Sequence, residues 1–335
     1  MTDQSPFEPI ELPASRLAVD TRSEGRPGGS GLPPNRRRGR NVLLAAAVVA
    51  TLVVLVLGPL RTKVRDALGG HPTTTTVPVP VDVAIPPGFR LANIINRYHS
   101  MVPSLSVTAM RRALTDGSVT STLLPPGGVP ASRLPENGSA LEGLLLPSTW
   151  SVPRGASADL VLENMVSGME DETAQLGISA AAQRLNLTPY QIITVASMVQ
   201  AEAGNPDEAP KIARVIYNRL AADEPLGIDA TSKYLKCVTS LNEQVCQSPL
   251  TNADFKVDSP YNTRTHRGLP PTPIGAPGKD ALEAAMNPAA GPWRFYVRAV
   301  ADDSLGRPQH EFFADNTSAD YNRAVQACMA SSLGC

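Results

Sequence analysis

Residues 189–204 read Pro-Tyr-Gln-Ile-Ile-Thr-Val-Ala-Ser-Met-Val-Gln-Ala-Glu-Ala-Gly, and this run constrains the fold more than any other. Thr188 is a favoured N-cap. Pro189 suits the first helical position, where a backbone N–H would have no intrahelical partner. Ile192, Val195, Ala196 and Val199 recur at helical spacing, which predicts a helix with one buried face. Gly204 is the predicted C-terminal cap, and Asn205-Pro206 the turn beyond it. A second helical pattern follows at once in Ile212, Val215, Ile216 and Leu220. The core of this chain must therefore accept two consecutive, packed helices.

Glu202 extends the apolar face of the first helix into its last turn. The helix dipole is negative there, and apolar neighbours exclude water, so both effects disfavour the carboxylate anion. A carboxyl group that keeps its proton near neutral pH is what general acid catalysis requires. The competing reading is a Glu at a helix end that swings into solvent.

The rest of the chain narrows the chemistry. A formal net charge of −1 gives no electrostatic case for nucleic-acid binding. With four His and no Cys-x-x-Cys pair, neither a metal site nor thioredoxin-like redox chemistry is expected, and no cofactor is implied. The four cysteines, Cys237, Cys246, Cys328 and Cys335, all lie in the last third. In an oxidising compartment they would form two disulfides. The local pairing Cys237–Cys246 and Cys328–Cys335 is favoured among three connectivities, and buried free thiols are the alternative.

Five segments are expected. Residues 1–41 are rich in Pro, Gly, Ser and Arg without hydrophobic period, the composition of a disordered tail. Residues 42–60 are nearly all Leu, Val and Ala, about long enough to cross a bilayer as a helix. A cleaved signal peptide is the rival, but the basic tail before the run is long for one. Arg36, Arg37, Arg38 and Arg40 precede it more densely than Arg61, Lys63 and Arg65 follow it, which predicts a cytoplasmic N-terminus and an extracytoplasmic remainder. Residues 61–80 read as a Pro/Thr linker. Residues 81–153 predict a strand, two helices (the second capped by Ser106) and a return strand within 143–152. Residues 154–335 carry the helix pair, with Ser157 capping a long helix before it and a connector expected at 225–236. The Pro- and Gly-rich stretch 258–278 can form neither a long helix nor a central strand, so a rigid binding-site loop is expected there. A hairpin follows, with Trp293, Phe295, Val297 and Ala299 alternating before the return at His310–Phe313, and then a last helix from about Ser318. The whole is α+β: a single transmembrane helix, a small first module, then a mixed catalytic domain.

Several motifs together resemble one family. Val195-Ala-Ser-Met-Val-Gln-Ala-Glu-Ala-Gly, Val215-Ile-Tyr-Asn-Arg-Leu, Ser259-Pro-Tyr-Asn-Thr, Gly268-Leu-Pro-Pro-Thr-Pro-Ile and Ala281-Leu-Glu-Ala-Ala-Met-Asn-Pro resemble segments of the YceG-like endolytic murein transglycosylases, the MltG family. Ile85-Pro-Pro-Gly and Leu141-Glu-Gly-Leu-Leu-Leu-Pro-Ser-Thr-Trp resemble its LysM-like N-terminal part, and His310-Glu-Phe-Phe-Ala its late hairpin. The resemblance implies a single-pass inner-membrane enzyme that cuts nascent peptidoglycan between N-acetylmuramic acid and N-acetylglucosamine. The product carries a 1,6-anhydro end. It places the catalytic glutamate on Glu202 and implies work beside cell-wall synthesis complexes. The sequence departs from the family pattern at Gln200, where a second Glu is usual, and at Ala276, where Asn is usual. These departures keep a non-catalytic, membrane-anchored wall-binding scaffold as the alternative. A sensor signalling through the basic tail would need a cytoplasmic motif that residues 1–41 do not carry. Asn218, Asp229, Tyr261 and Asn262 are candidates for holding the sugars, with loop pinning as the competing role.

Overall fold

The helix 189–202 is the axis of the fold. A computed structural model describes residues 79–240 and 242–331. The expectations for the tail, the membrane span and most of the linker lie outside the described residues. Among the described residues, no helix is long and apolar enough to cross a membrane.

Strand β1 (Val81–Ala84) is followed by α1 (Leu91–Met101), α2 (Val107–Ala113) and β2 (Thr149–Val152). β1 and β2 pair antiparallel, Val81 opposite Val152 and Ala84 opposite Thr149. Ser106 caps α2 by accepting from the Ala109 amide. The return strand is shorter than the predicted segment. Gly143 has φ +74, and the Leu144 amide turns back to the Leu141 carbonyl. Leu144 and Leu145 are therefore buried by a turn, not by a ladder.

The helices α3 (Ala158–Gln175), α4 (Ile178–Leu185), α5 (Pro189–Glu202) and α6 (Ala209–Ala221) come next. Ser157 caps α3 at the Leu160 amide. Thr188 caps α5 in a full capping box, its side chain accepting from the Gln191 amide while Gln191 reaches back to the Thr188 amide. The single buried face expected for α5 is an underestimate. Every residue from Ile192 to Val199 is buried, which is the pattern of a helix enclosed by others. Its two mid-helix hydroxyls survive there because each has a partner. Thr194 donates to the Tyr190 carbonyl, and Ser197 donates to the Thr194 carbonyl.

The connector expected at 225–236 is largely helical: α7 spans Asp229–Ser240. Thr231, Tyr234, Leu235 and Val238 are its buried face, a helical spacing the predicted connector overlooked. A disulfide joins Cys237 to Cys246, stapling the end of α7 to the short α8 (Glu243–Gln247). Cys328 is also disulfide-bonded; Cys335 lies outside the described residues. The Pro-rich stretch is irregular, as its composition demands, and leads into α9 (Lys279–Met286).

Strands β3 (Phe295–Arg298) and β4 (His310–Phe313) form the hairpin, with Tyr296 opposite Phe312 and Arg298 opposite His310. Its two faces divide the work. Phe295, Val297 and Phe313 pack on the last helix, α10 (Ala319–Ala330), against Tyr321, Ala324 and Cys328. Tyr296 and Phe312 pack on the main core.

Candidate active site

Glu202 is the last residue of α5 and is half-buried. The chain leaves the helix at Ala203 in an extended conformation, φ −71 and ψ 114. Gly204 is therefore not the left-handed cap that was expected. Its role is steric: a Cβ there would lie 2.6 Å from Pro308 Cβ and 2.7 Å from the Pro308 carbonyl oxygen. The missing side chain lets the hairpin approach the end of α5.

Two further residues, Asn205 and Glu208, fasten that approach. Asn205 Nδ2 donates to the Pro308 carbonyl at 2.8 Å, and its Oδ1 accepts the Glu208 amide. Glu208 is buried at the start of α6 and grips His310 twice: the His310 amide donates to Oε1 at 2.6 Å, and Nδ1 lies 3.0 Å from Oε2. The hairpin is thereby held with Tyr296 over the helix end, and the Tyr296 hydroxyl donates to Glu202 Oε2 at 2.9 Å.

The electrostatics follow from this packing. Burial is the largest influence on Glu202 and raises its pKa, and the negative charge of Asp229 raises it further. The Tyr296 hydrogen bond, the Ala230 amide and His310 pull it back in part. The net effect is upward, toward a protonated acid. Burial, reinforced by the Glu202 charge, holds the Tyr296 hydroxyl well above its ordinary range. Tyr296 thus remains a donor.

The sequence candidates fall into two groups. Asp229, the first residue of α7, sits within electrostatic reach of Glu202. Arg264 from the Pro-rich stretch pairs with it, Nε at 2.9 Å and Nη2 at 2.5 Å, both on Oδ1. The other three are committed to the framework. Asn218 Nδ2 donates to the Gly291 and Trp293 carbonyls at 3.0 and 2.8 Å. Asn262 is fully buried, donates to the Phe255 and Val257 carbonyls, and accepts the Arg264 amide. Tyr261 is buried, its hydroxyl 2.9 Å from Thr272 Oγ1 and its ring 5.3 Å from that of Tyr234. Tyr261 and Asn262 shape the loop that carries Arg264 to Asp229, and Asn218 holds the segment that leads into the hairpin.

The two departures from the family pattern also have structural partners. Gln200 Oε1 accepts the Gly278 amide at 2.9 Å, next to the Ser197 hydroxyl that accepts the Ile274 amide at 3.0 Å. Together they clamp the end of the Pro-rich stretch to α5. Ala276 is fully buried and pairs by backbone with the 88–89 turn.

Sequence reasoning missed Tyr296, His310 and Glu208. The hairpin alternation was legible in Trp293, Phe295, Val297 and Ala299, which leaves Tyr296 on the other face. Among the described residues, no cluster of three or more His, Cys, Asp or Glu could hold a metal. What the arrangement offers is one desolvated carboxyl with a hydroxyl donor on one oxygen, beside a second carboxylate paired with Arg264. That is a single-acid site suited to cleaving an acetal.

The family is clear from the chain as a whole. The profile of the YceG-like family matches residues 63–327, and the protein belongs to that family. It is 27% identical over 264 residues to an endolytic murein transglycosylase of Streptococcus pneumoniae, covering 76% of this chain and 46% of that one. To the endolytic murein transglycosylase of Bacillus subtilis it is 28% identical over 193 residues, 57% of this chain and 49% of that one. The chain thus spans about half the length of the curated relatives it matches. The crystal structure of a yceG-like protein from Listeria monocytogenes superposes with a TM-score of 0.59 at 27% identity, covering 73% of this chain and 75% of that one.

Proposed function

We propose that this protein is an endolytic peptidoglycan lytic transglycosylase with Glu202 as its acid and base. The observation that carries the reading is the half-buried Glu202 under the Tyr296 hydroxyl. Protonated Glu202 gives its proton to the glycosidic oxygen between N-acetylmuramic acid and N-acetylglucosamine, and the bond from that oxygen to the anomeric carbon breaks. The Glu202 carboxylate then takes the proton of the muramic acid C6 hydroxyl as that oxygen bonds to the anomeric carbon. The 1,6-anhydro ring closes, Glu202 is protonated again, and no water is consumed. A desolvated acid favours this route over hydrolysis.

Asp229, within electrostatic reach of Glu202 and paired with Arg264, suits the stabilisation of positive charge on the sugar ring. Asn218, Tyr261 and Asn262 contribute to sugar binding by holding the walls. The β1-α1-α2-β2 order of residues 81–153 supports a LysM-like module that contacts the glycan. The apolar run at 42–60 and its basic flank support a single-pass membrane anchor with the catalytic part outside, where nascent strands and their synthesis complexes are met. The scaffold alternative leaned on Gln200 and Ala276, and both have framework roles that leave Glu202 intact.

Digestion of purified glycan strands tests the reading. The native protein is expected to release anhydro-muropeptides, and Glu202→Gln none. A native protein that binds strands without releasing products would leave the scaffold.

A further inference from the structure

We propose that Tyr296 is a positioning residue for Glu202, locked by the Glu208–His310 pair, and that it decides which carboxyl oxygen carries the working proton. This rests on the lytic reading above and deepens it. The Tyr296 hydroxyl has one hydrogen, and it goes to Glu202 Oε2. Oε1, without the Tyr296 hydrogen, is the oxygen assigned to hold and deliver the proton, and the Ala230 amide is the other donor facing the carboxyl. Without that bond the carboxyl could rotate about its last torsion, which is broad and roughly two-fold for Glu.

The lock is a closed circuit of contacts. The His310 ring meets the Tyr296 ring edge-on, centroids 5.3 Å apart at 82°. Glu208 holds both the amide and Nδ1 of His310. Asn205 accepts the Glu208 amide, and only two residues separate Asn205 from Glu202. Tyr296 is therefore referenced to the end of α5 along a short, hydrogen-bonded path. A hydroxyl aimed at Oε2 also stabilises the anion that forms when Glu202 gives up its proton, so it assists transfer as well as aim.

The four charged and titratable groups facing this pair come from three elements: Asp229 on α7, Arg219 on α6 with Glu208 at its start, and His310 on β4. Burial and Asp229 favour protonated Glu202; Tyr296, the Ala230 amide and His310 oppose them. Removing the Tyr296 hydroxyl takes away the largest opposing influence.

The variant Tyr296→Phe keeps the ring and its packing. In the full chain, two readouts are measured. First, the pH profile of anhydro-product formation: the alkaline limb, where Glu202 loses its proton, moves to higher pH. At the optimum kcat falls about ten-fold or more, as for a mis-aimed catalytic group, while KM stays within about two-fold. Second, the ¹³C carboxyl resonance of Glu202, assigned by its disappearance in Glu202→Gln, titrates at higher pH in the variant. Glu208→Gln, which weakens the hold on His310, moves both in the same direction by less. A limb and a resonance that coincide with those of the native protein would overturn the role of Tyr296, and an unmoved Glu208→Gln would remove the lock. The resonance needs no turnover. A native protein without anhydro products would sink the lytic reading while the titration still decides this one.

Discussion

Glu142 is a buried carboxyl away from Glu202, and replacing it should change how stability depends on pH. It is 3% exposed, and Oε1 accepts the Leu91 amide at the start of α1 at 3.0 Å. Oε2 accepts the Tyr234 hydroxyl of α7 at 3.2 Å. Burial outweighs these bonds and pushes the carboxyl up from 4.5 to about 7. Between those two values the folded protein binds a proton that the unfolded chain has released. The sign follows directly: stability is greatest below about pH 4.5 and falls as pH rises toward 7. At ~1.4 kcal/mol per pH unit the loss is about 3 kcal/mol. Glu142→Gln stays neutral and lacks this dependence. Urea unfolding of both proteins at a series of pH values, disulfides intact, gives the difference in their free energies. The stability of the variant relative to the parent should rise by about 3 kcal/mol from pH 4.5 to 8. A difference that stays flat, or that falls, would refute the argument that burial dominates at this carboxyl.

Two other substitutions test the framework around Glu202. Gly204→Ala puts a methyl group against Pro308 backbone and ring atoms. It should cost about 1–3 kcal/mol in thermal or urea unfolding, and should reduce turnover by displacing Tyr296. Unchanged stability would mean that the hairpin yields freely. Asn218→Ala leaves the Gly291 and Trp293 carbonyls without their donor. It should cost about 1–3 kcal/mol with KM nearly unchanged, whereas a large rise in KM at unaltered stability would make Asn218 a direct sugar contact.

Local chemistry was legible in the sequence; adjacency across the fold was not. Thr188, Ser106 and Ser157 all cap the helices their positions predicted, and Ser318, the expected start of the last helix, caps it. Glu202 was legible as a candidate because its own helix dictates its face and its dipole end, but spacing alone left a solvent-facing glutamate as the rival, and the family resemblance chose between them. Tyr296 was not, because 94 residues separate it from Glu202, and alternation in a strand says which residues share a face without saying what that face meets. The same limit applies to Glu208 and His310, 102 residues apart. Asn262 and Tyr261 illustrate a different limit. A polar residue in a Pro-rich loop can serve a ligand or the loop itself, and only the partners decide. Gly204 shows a third: a glycine after a helix suggests a left-handed cap, yet here it makes room for Pro308. The turn residues Pro225 and Gly227 read as a connector, yet Thr231, Tyr234, Leu235 and Val238 directly after them carry the helical spacing of α7.

The central claim is that Glu202 cleaves the strand by moving one proton out and one back, with sugar oxygen and not water closing the reaction. Digesting glycan strands in heavy-oxygen water and weighing the new ends by mass spectrometry tests this directly. The account predicts anhydro ends, each lighter than a reducing end by one water and free of heavy oxygen, and their loss in Glu202→Gln. Reducing ends that carry heavy oxygen, or anhydro ends that persist in Glu202→Gln, would contradict it.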